Sequence, residues 1–92
     1  VTTAVEPAIE TQERQVQFFP NPFTDRFTIF ATGWDQGSID LAIYNMQGTR
    51  ILISCIFPEH PWQGTLAGFP SGLYILTFRQ GNHQSFVRVI KH

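Results

Sequence analysis

The sequence predicts an all-β fold, an immunoglobulin-like antiparallel β-sandwich of about seven strands. Three observations predict it. From Gln15 onward, apolar runs recur about every 8–12 residues between Pro, Gly, Asn and Asp, and none continues at helical spacing. Gly81-Asn82 joins two such runs as a two-residue hairpin turn with glycine first, as a type II′ turn requires. Phe69-Pro-Ser-Gly-Leu-Tyr74 sets a turn just before a tyrosine that opens the next run. That is the arrangement of a tyrosine corner, found at the start of the penultimate strand of immunoglobulin-like sandwiches.

Each element follows from its own residues. Residues 1–14 are polar, rich in Thr and Glu and without a period of 2 or 3.6, so they are expected to be a linker to a preceding domain, with the sandwich over 15–92. The first strand, Gln15–Phe19, stops at Pro20. Arg26–Ala31 alternates, with Phe27 and Ile29 set against Thr28 and Phe30. Ser38–Met46 puts Ile39, Leu41 and Ile43 on one face, and Gln47-Gly48 turns the chain into Thr49–Phe57. Pro58-Glu-His-Pro61 ends that strand, and Trp62–Leu66 is short. Gly72–Gln80 and His83–Lys91 flank the Gly81-Asn82 turn.

The turn fixes a register. Phe78 faces Ser85, Leu76 faces Val87 and Tyr74 faces Val89, and these six residues are assigned to the core. The opposite face carries Leu73, Ile75 and Thr77 beside Phe86, Arg88 and Ile90. An outer face is expected to be more polar, so a loop covers it, or it is ordinary surface, or it is a contact surface for a partner with basic residues at its edge.

Composition narrows the function. A 92-residue chain with 42% hydrophobic residues is one small folded domain, and such a domain buries roughly 60–65% of its unfolded surface. The net charge of −1 provides no basic field for nucleic acid. After Glu59 there are no acids, while Arg79, Arg88 and Lys91 remain, so the last third is locally basic. The single cysteine, Cys55, excludes a disulfide within these residues and reads as a small core hydrophobe. No apolar stretch is long enough for a membrane helix. With Val1 first and no signal peptide, the chain reads as a processed product or a piece of a larger protein.

Catalytic and metal-binding patterns are missing. His60, His83 and His92 do not stand at ligand spacing with one another or with Cys55, and read as exposed. Asp25, Asp35, Asp40 and Glu59 are the only acids past the linker, and a filled sandwich offers no cleft for paired carboxylates. No nucleophile elbow, phosphate loop or calcium loop is present. Neither enzyme activity nor a cofactor is expected. Trp34 and Trp62 leave open an immunoglobulin-like carbohydrate-binding or adhesion module, or a passive spacer.

Four segments in order are more specific than any one of them. They are Phe19-Pro-Asn-Pro-Phe-Thr-Asp-Arg-Phe-Thr-Ile29, Leu41-Ala-Ile-Tyr-Asn-Met-Gln-Gly48, Phe69-Pro-Ser-Gly-Leu-Tyr-Ile75 and Phe86-Val-Arg-Val-Ile-Lys91. Over about residues 17–92 the set resembles the type A C-terminal sorting domain of the bacterial type IX secretion system. The resemblance implies a signal that targets its parent across the outer membrane of a Gram-negative bacterium. The implied partners are the outer-membrane translocon and its shuttle proteins, and a sortase-like cysteine peptidase acting in the linker. The implied route runs through the periplasm to the cell surface or the medium.

By resemblance, Pro20, Asn21, Pro22 and Phe23 match the first motif, Gly48 the mid-chain glycine, Pro70, Gly72 and Tyr74 the third, and Lys91 the terminal basic residue. Phe69 stands where leucine is common. Pro20 ends a strand, Asn21 before Pro22 is pushed to an extended conformation, and Phe23 is expected to tuck under the sandwich edge. The expected recognition residues are Arg79, Phe86, Arg88, Ile90 and Lys91. Edge strands in so small a domain also allow weak homodimerisation.

Overall fold

The structure, a computed structural model, describes residues 14–92. The expected linker, apart from Arg14, lies outside the described residues. Among the described residues seven strands form and no helix: β1 Gln15–Phe19, β2 Arg26–Thr32, β3 Ile39–Tyr44, β4 Arg50–Ile56, β5 Trp62–Thr65, β6 Gly72–Gln80 and β7 His83–Lys91. They make two antiparallel sheets, ordered β1-β2-β5 and β4-β3-β6-β7. Strands 1, 2 and 5 facing 3, 6 and 7 is the immunoglobulin arrangement, with the fourth strand placed beside the third.

Alternation builds the core. Phe27, Ile29 and Ala31 of β2 point inward, as do Ile39, Leu41 and Ile43 of β3 and Tyr74, Leu76 and Phe78 of β6, and all are essentially buried. Val89 and Ile56 complete the second sheet's inner face. Each buried Phe, Ile, Leu or Val side chain contributes about 1.5–3 kcal/mol relative to leaving it in water. Phe18, Phe23 and Phe27 form an aromatic cluster with ring centroids 4.9–5.4 Å apart. Trp62 packs on Phe27 at 6.0 Å and lies over Gly64, where a Cβ would come within 2.5 Å of the indole.

The last hairpin has the expected register: Phe78 opposite Ser85, Leu76 opposite Val87 and Tyr74 opposite Val89. Gly81 has φ of 61° and Asn82 does not share the positive φ, as a type II′ turn requires. Gly48 has φ of 83° and closes a turn that Asn45 organises. The Asn45 side-chain carbonyl accepts from the amides of Gln47 at 3.0 Å and Thr49 at 2.9 Å. The tyrosine corner is present: the Tyr74 hydroxyl donates to the Pro70 carbonyl.

Cys55 corrects its expectation. It is exposed on the outer face of β4, with Sγ 3.9 Å from Asp40 Oδ1. The ladder pairs Ile56 with Ile39 and Ser54 with Leu41, so the core phase of β4 takes its even residues and turns Cys55 outward. The run of apolar residues on both phases hid this parity.

Candidate functional site

An antiparallel sandwich brings the ends of β1, β3, β5 and β7 to one pole. All four motif segments therefore meet there, although they are spread along the chain. The first motif crosses from one sheet to the other and lies along the edge of β7. The Phe23 amide donates to the Ile90 carbonyl at 3.0 Å, and the His92 amide donates to the Phe23 carbonyl at 2.8 Å. The Ile90 amide donates to Asn21 Oδ1 at 3.2 Å. Phe23 thus makes a parallel bridge to Lys91, and its ring is 1% exposed.

Lys91 sits across this strand from Gly72, the glycine of the third motif, whose φ is 146°. Gly72 in turn lies beneath Met46 at the mid-chain turn, whose Sδ would be 4.0 Å from an added Cβ. A shallow pocket of about 150 Å³ separates the Asn45–Gln47 turn from Phe69–Tyr74. The Leu66 amide donates to the Asp25 carbonyl at 2.9 Å and so ties the end of β5 to the same loop. Pro20, Asn21, Pro22, Phe23, Gly48, Pro70, Gly72 and Tyr74 therefore share one end of the fold. Both X–Pro bonds of the first motif are cis.

The expected recognition residues divide. Arg79, Phe86, Arg88 and Ile90 stand together on the outer face of the β6–β7 hairpin. Phe86 is 69% exposed and Ile90 49%. Across the sheet Ile53 is 61% exposed, and the face continues through Ala42 and Tyr44 into a shallow depression of about 430 Å³. No loop among the described residues covers Phe86 or Ile90.

Lys91 is placed elsewhere. It continues the inward phase of Val87 and Val89, is only 8% exposed, and its Nζ lies 3.6 Å from Asp25 Oδ1. Its ammonium belongs to the pole and not to the outer face. Its partner, Asp25, is one of the four acids past the linker, and the sequence alone gives it no partner.

The tryptophans are packing residues. Trp34 is 7% exposed and its Nε1–H donates to the Gln15 carbonyl at 3.3 Å, with the Arg14 guanidinium carbon 6.0 Å from its ring. Trp62 is half-buried on Phe27. Trp34 offers no open ring face for sugar stacking, and the Trp62 ring packs against Phe27 and Gly64. His60, His83 and His92 are exposed. Among the described residues no group of three or more His, Cys, Asp or Glu could hold a metal ion.

Residues 17–92 match the family described as "Secretion system C-terminal sorting domain". No curated protein sequence matches the chain. The matched span contains all four motif segments, both sheets and the last hairpin, and the family is a type IX secretion signal, not an enzyme family. Such a signal sends its protein to the cell surface or out of a Gram-negative bacterium. The chain belongs to the secretion system C-terminal sorting domain family.

Proposed function

We propose that the type IX machinery reads the outer face of the β6–β7 hairpin, through Arg79, Phe86, Arg88 and Ile90. In this reading Pro20–Phe23, Gly48, Pro70, Gly72, Tyr74 and Lys91 hold that face in position. Lys91 acts from behind, by anchoring the end of β7 to Asp25. The single observation that carries the reading is the exposure of Phe86 (69%) and Ile90 (49%) beside two arginines on an uncovered sheet face. Phe86, Ile90 and Ile53 expose apolar side chains on one sheet face, and contiguous apolar surface of this kind marks interaction sites. The partners in this reading are the outer-membrane translocon and its shuttle proteins, met after passage into the periplasm. A sortase-like cysteine peptidase then cuts within residues 1–14, whose polar sequence suits protease access.

The test is export of a reporter carrying residues 1–92 in a host with a type IX system. Deleting Phe86–His92 is a poor probe, because it also removes buried Val89 and half of the hairpin ladder. The double substitution Phe86→Ser with Ile90→Ser changes only exposed side chains and should alter stability by no more than about 0.5 kcal/mol per site. The reading predicts that this variant stays folded and accumulates in the periplasm. Export at the parent level would refute it.

A further inference from the structure

We infer that the outer edge of β7 from Gln84 to Arg88 is a strand-addition site, occupied by an extended partner segment that carries carboxylates among apolar side chains. This deepens the reading above and rests on it. The argument begins with hydrogen-bond parity. Ile90 directs both its amide and its carbonyl away from β6, to Asn21 Oδ1 and the Phe23 amide. In an antiparallel ladder alternate residues aim these groups the same way. Gln84, Phe86 and Arg88 therefore also direct their amides and carbonyls outward.

β7 is the terminal strand of its sheet, and among the described residues only Asn21–Phe23 pair with its outer side, at positions 90–92. The edge thus already accepts a strand-like segment at one end, and the stretch beside it is open. Natural edges are usually blunted by proline, a bulge or an inward charge. Residues 84–88 have no proline, and their register with β6 is unbroken.

The neighbouring side chains set the occupant's chemistry. Phe86 is largely exposed on the outer side and Val87 is half-buried on the inner side, so a segment with apolar residues on both phases covers them. Arg79 and Arg88 lie on the outer face, and the one carboxylate there among the described residues, Asp40, stands opposite Arg79 on the far side of β6. Among the described residues Arg88 has no carboxylate beside it, which favours an acidic partner. A second copy pairing β7 to β7 brings no acid to this edge, since residues 83–91 contain none. Main-chain pairing supplies affinity and the flanking side chains supply choice.

The test uses the same reporter with Gln84→Pro, Arg88→Glu and Arg88→Lys, and thermal unfolding of each purified chain. Gln84→Pro removes one outward N–H that the β6–β7 ladder does not use, so the fold should persist. The expected result is export reduced about tenfold by Gln84→Pro, the worth of one hydrogen bond to a partner. Arg88→Glu should reduce export comparably, and Arg88→Lys should leave it near the parent. Parent-level export of Gln84→Pro and Arg88→Glu, with the Phe86/Ile90 double variant still retained, overturns strand addition and leaves the face reading standing. Parent-level export of all of them overturns both. If Gln84→Pro unfolds, Arg88→Glu decides alone, and parent-level export of it overturns the acidic partner. A concentration-dependent dimer in sedimentation, lost in Gln84→Pro, assigns the edge to a second copy and overturns the proposal.

Discussion

Asn21→Ala isolates the link between the two ends of the folded chain. The substitution removes the acceptor that Ile90 N–H uses at 3.2 Å, and leaves both backbone bonds of Phe23 in place. Asn21 and Ile90 are exposed, so water can replace the lost acceptor and the net cost falls at the low end of the range for one hydrogen bond, about 0.5–1 kcal/mol. For a domain of this size that lowers the unfolding midpoint by roughly 2–8 °C. The local effect is larger than the global one. The Ile90 amide should exchange with solvent about tenfold faster, while the Val89 amide, which belongs to the β6 ladder, should keep its protection. Asn21→Asp retains an acceptor oxygen and should restore Ile90. Amide exchange followed by NMR separates these residues. Unchanged Ile90 exchange in Asn21→Ala, with the midpoint lowered all the same, would show that Asn21 acts only within its own loop and would refute the clamp.

Other substitutions probe the pole and the core. Tyr74→Phe removes the hydroxyl that binds the Pro70 carbonyl and should cost about 1 kcal/mol, or roughly 4–8 °C in the unfolding midpoint, measured by circular dichroism. Gly64→Ala drives a methyl group into the Trp62 and Phe27 rings, at 2.5 and 2.9 Å, and should cost about 1–3 kcal/mol with a change in tryptophan emission. Lys91→Met keeps the packed stem and removes a buried charge, so denaturant unfolding should move by less than about 1 kcal/mol in either direction.

Much of this architecture was legible because its signals are local. A period of 2 and turn residues at defined offsets place all seven strands, and a two-residue turn sets the register of β6 and β7 from Gly81 outward. The tyrosine corner needs only four residues of separation. What escaped was parity in a run apolar on both phases, and contact over long separations. Ile51-Leu52-Ile53-Ser54-Cys55-Ile56 reads equally well in either phase, and the ladder is irregular opposite Ile43 and Tyr44, so the outward position of Cys55 has no local signal. The meeting of Asn21 with Ile90 spans 69 positions and has no local signature. The alternation of Lys91 with Val87 and Val89 points its side chain inward, a signal separate from its charge. The candidate recognition face was legible through the same hairpin register, which put Phe86, Arg88 and Ile90 together before any side chain was placed.

In the proposed reading the motif residues act as fold determinants, so stability and recognition must be measured apart. The most direct test plots the exported fraction of the reporter against the folded fraction of its purified domain, for two variants. Tyr74→Phe disturbs the motif pole and leaves the outer face intact. Phe86→Ser with Ile90→Ser does the reverse. The account predicts that Tyr74→Phe exports in proportion to its folded fraction, and that the double variant fails to export although folded. Export of the folded double variant together with loss of export by folded Tyr74→Phe would contradict it, and would move the signal to the pole itself.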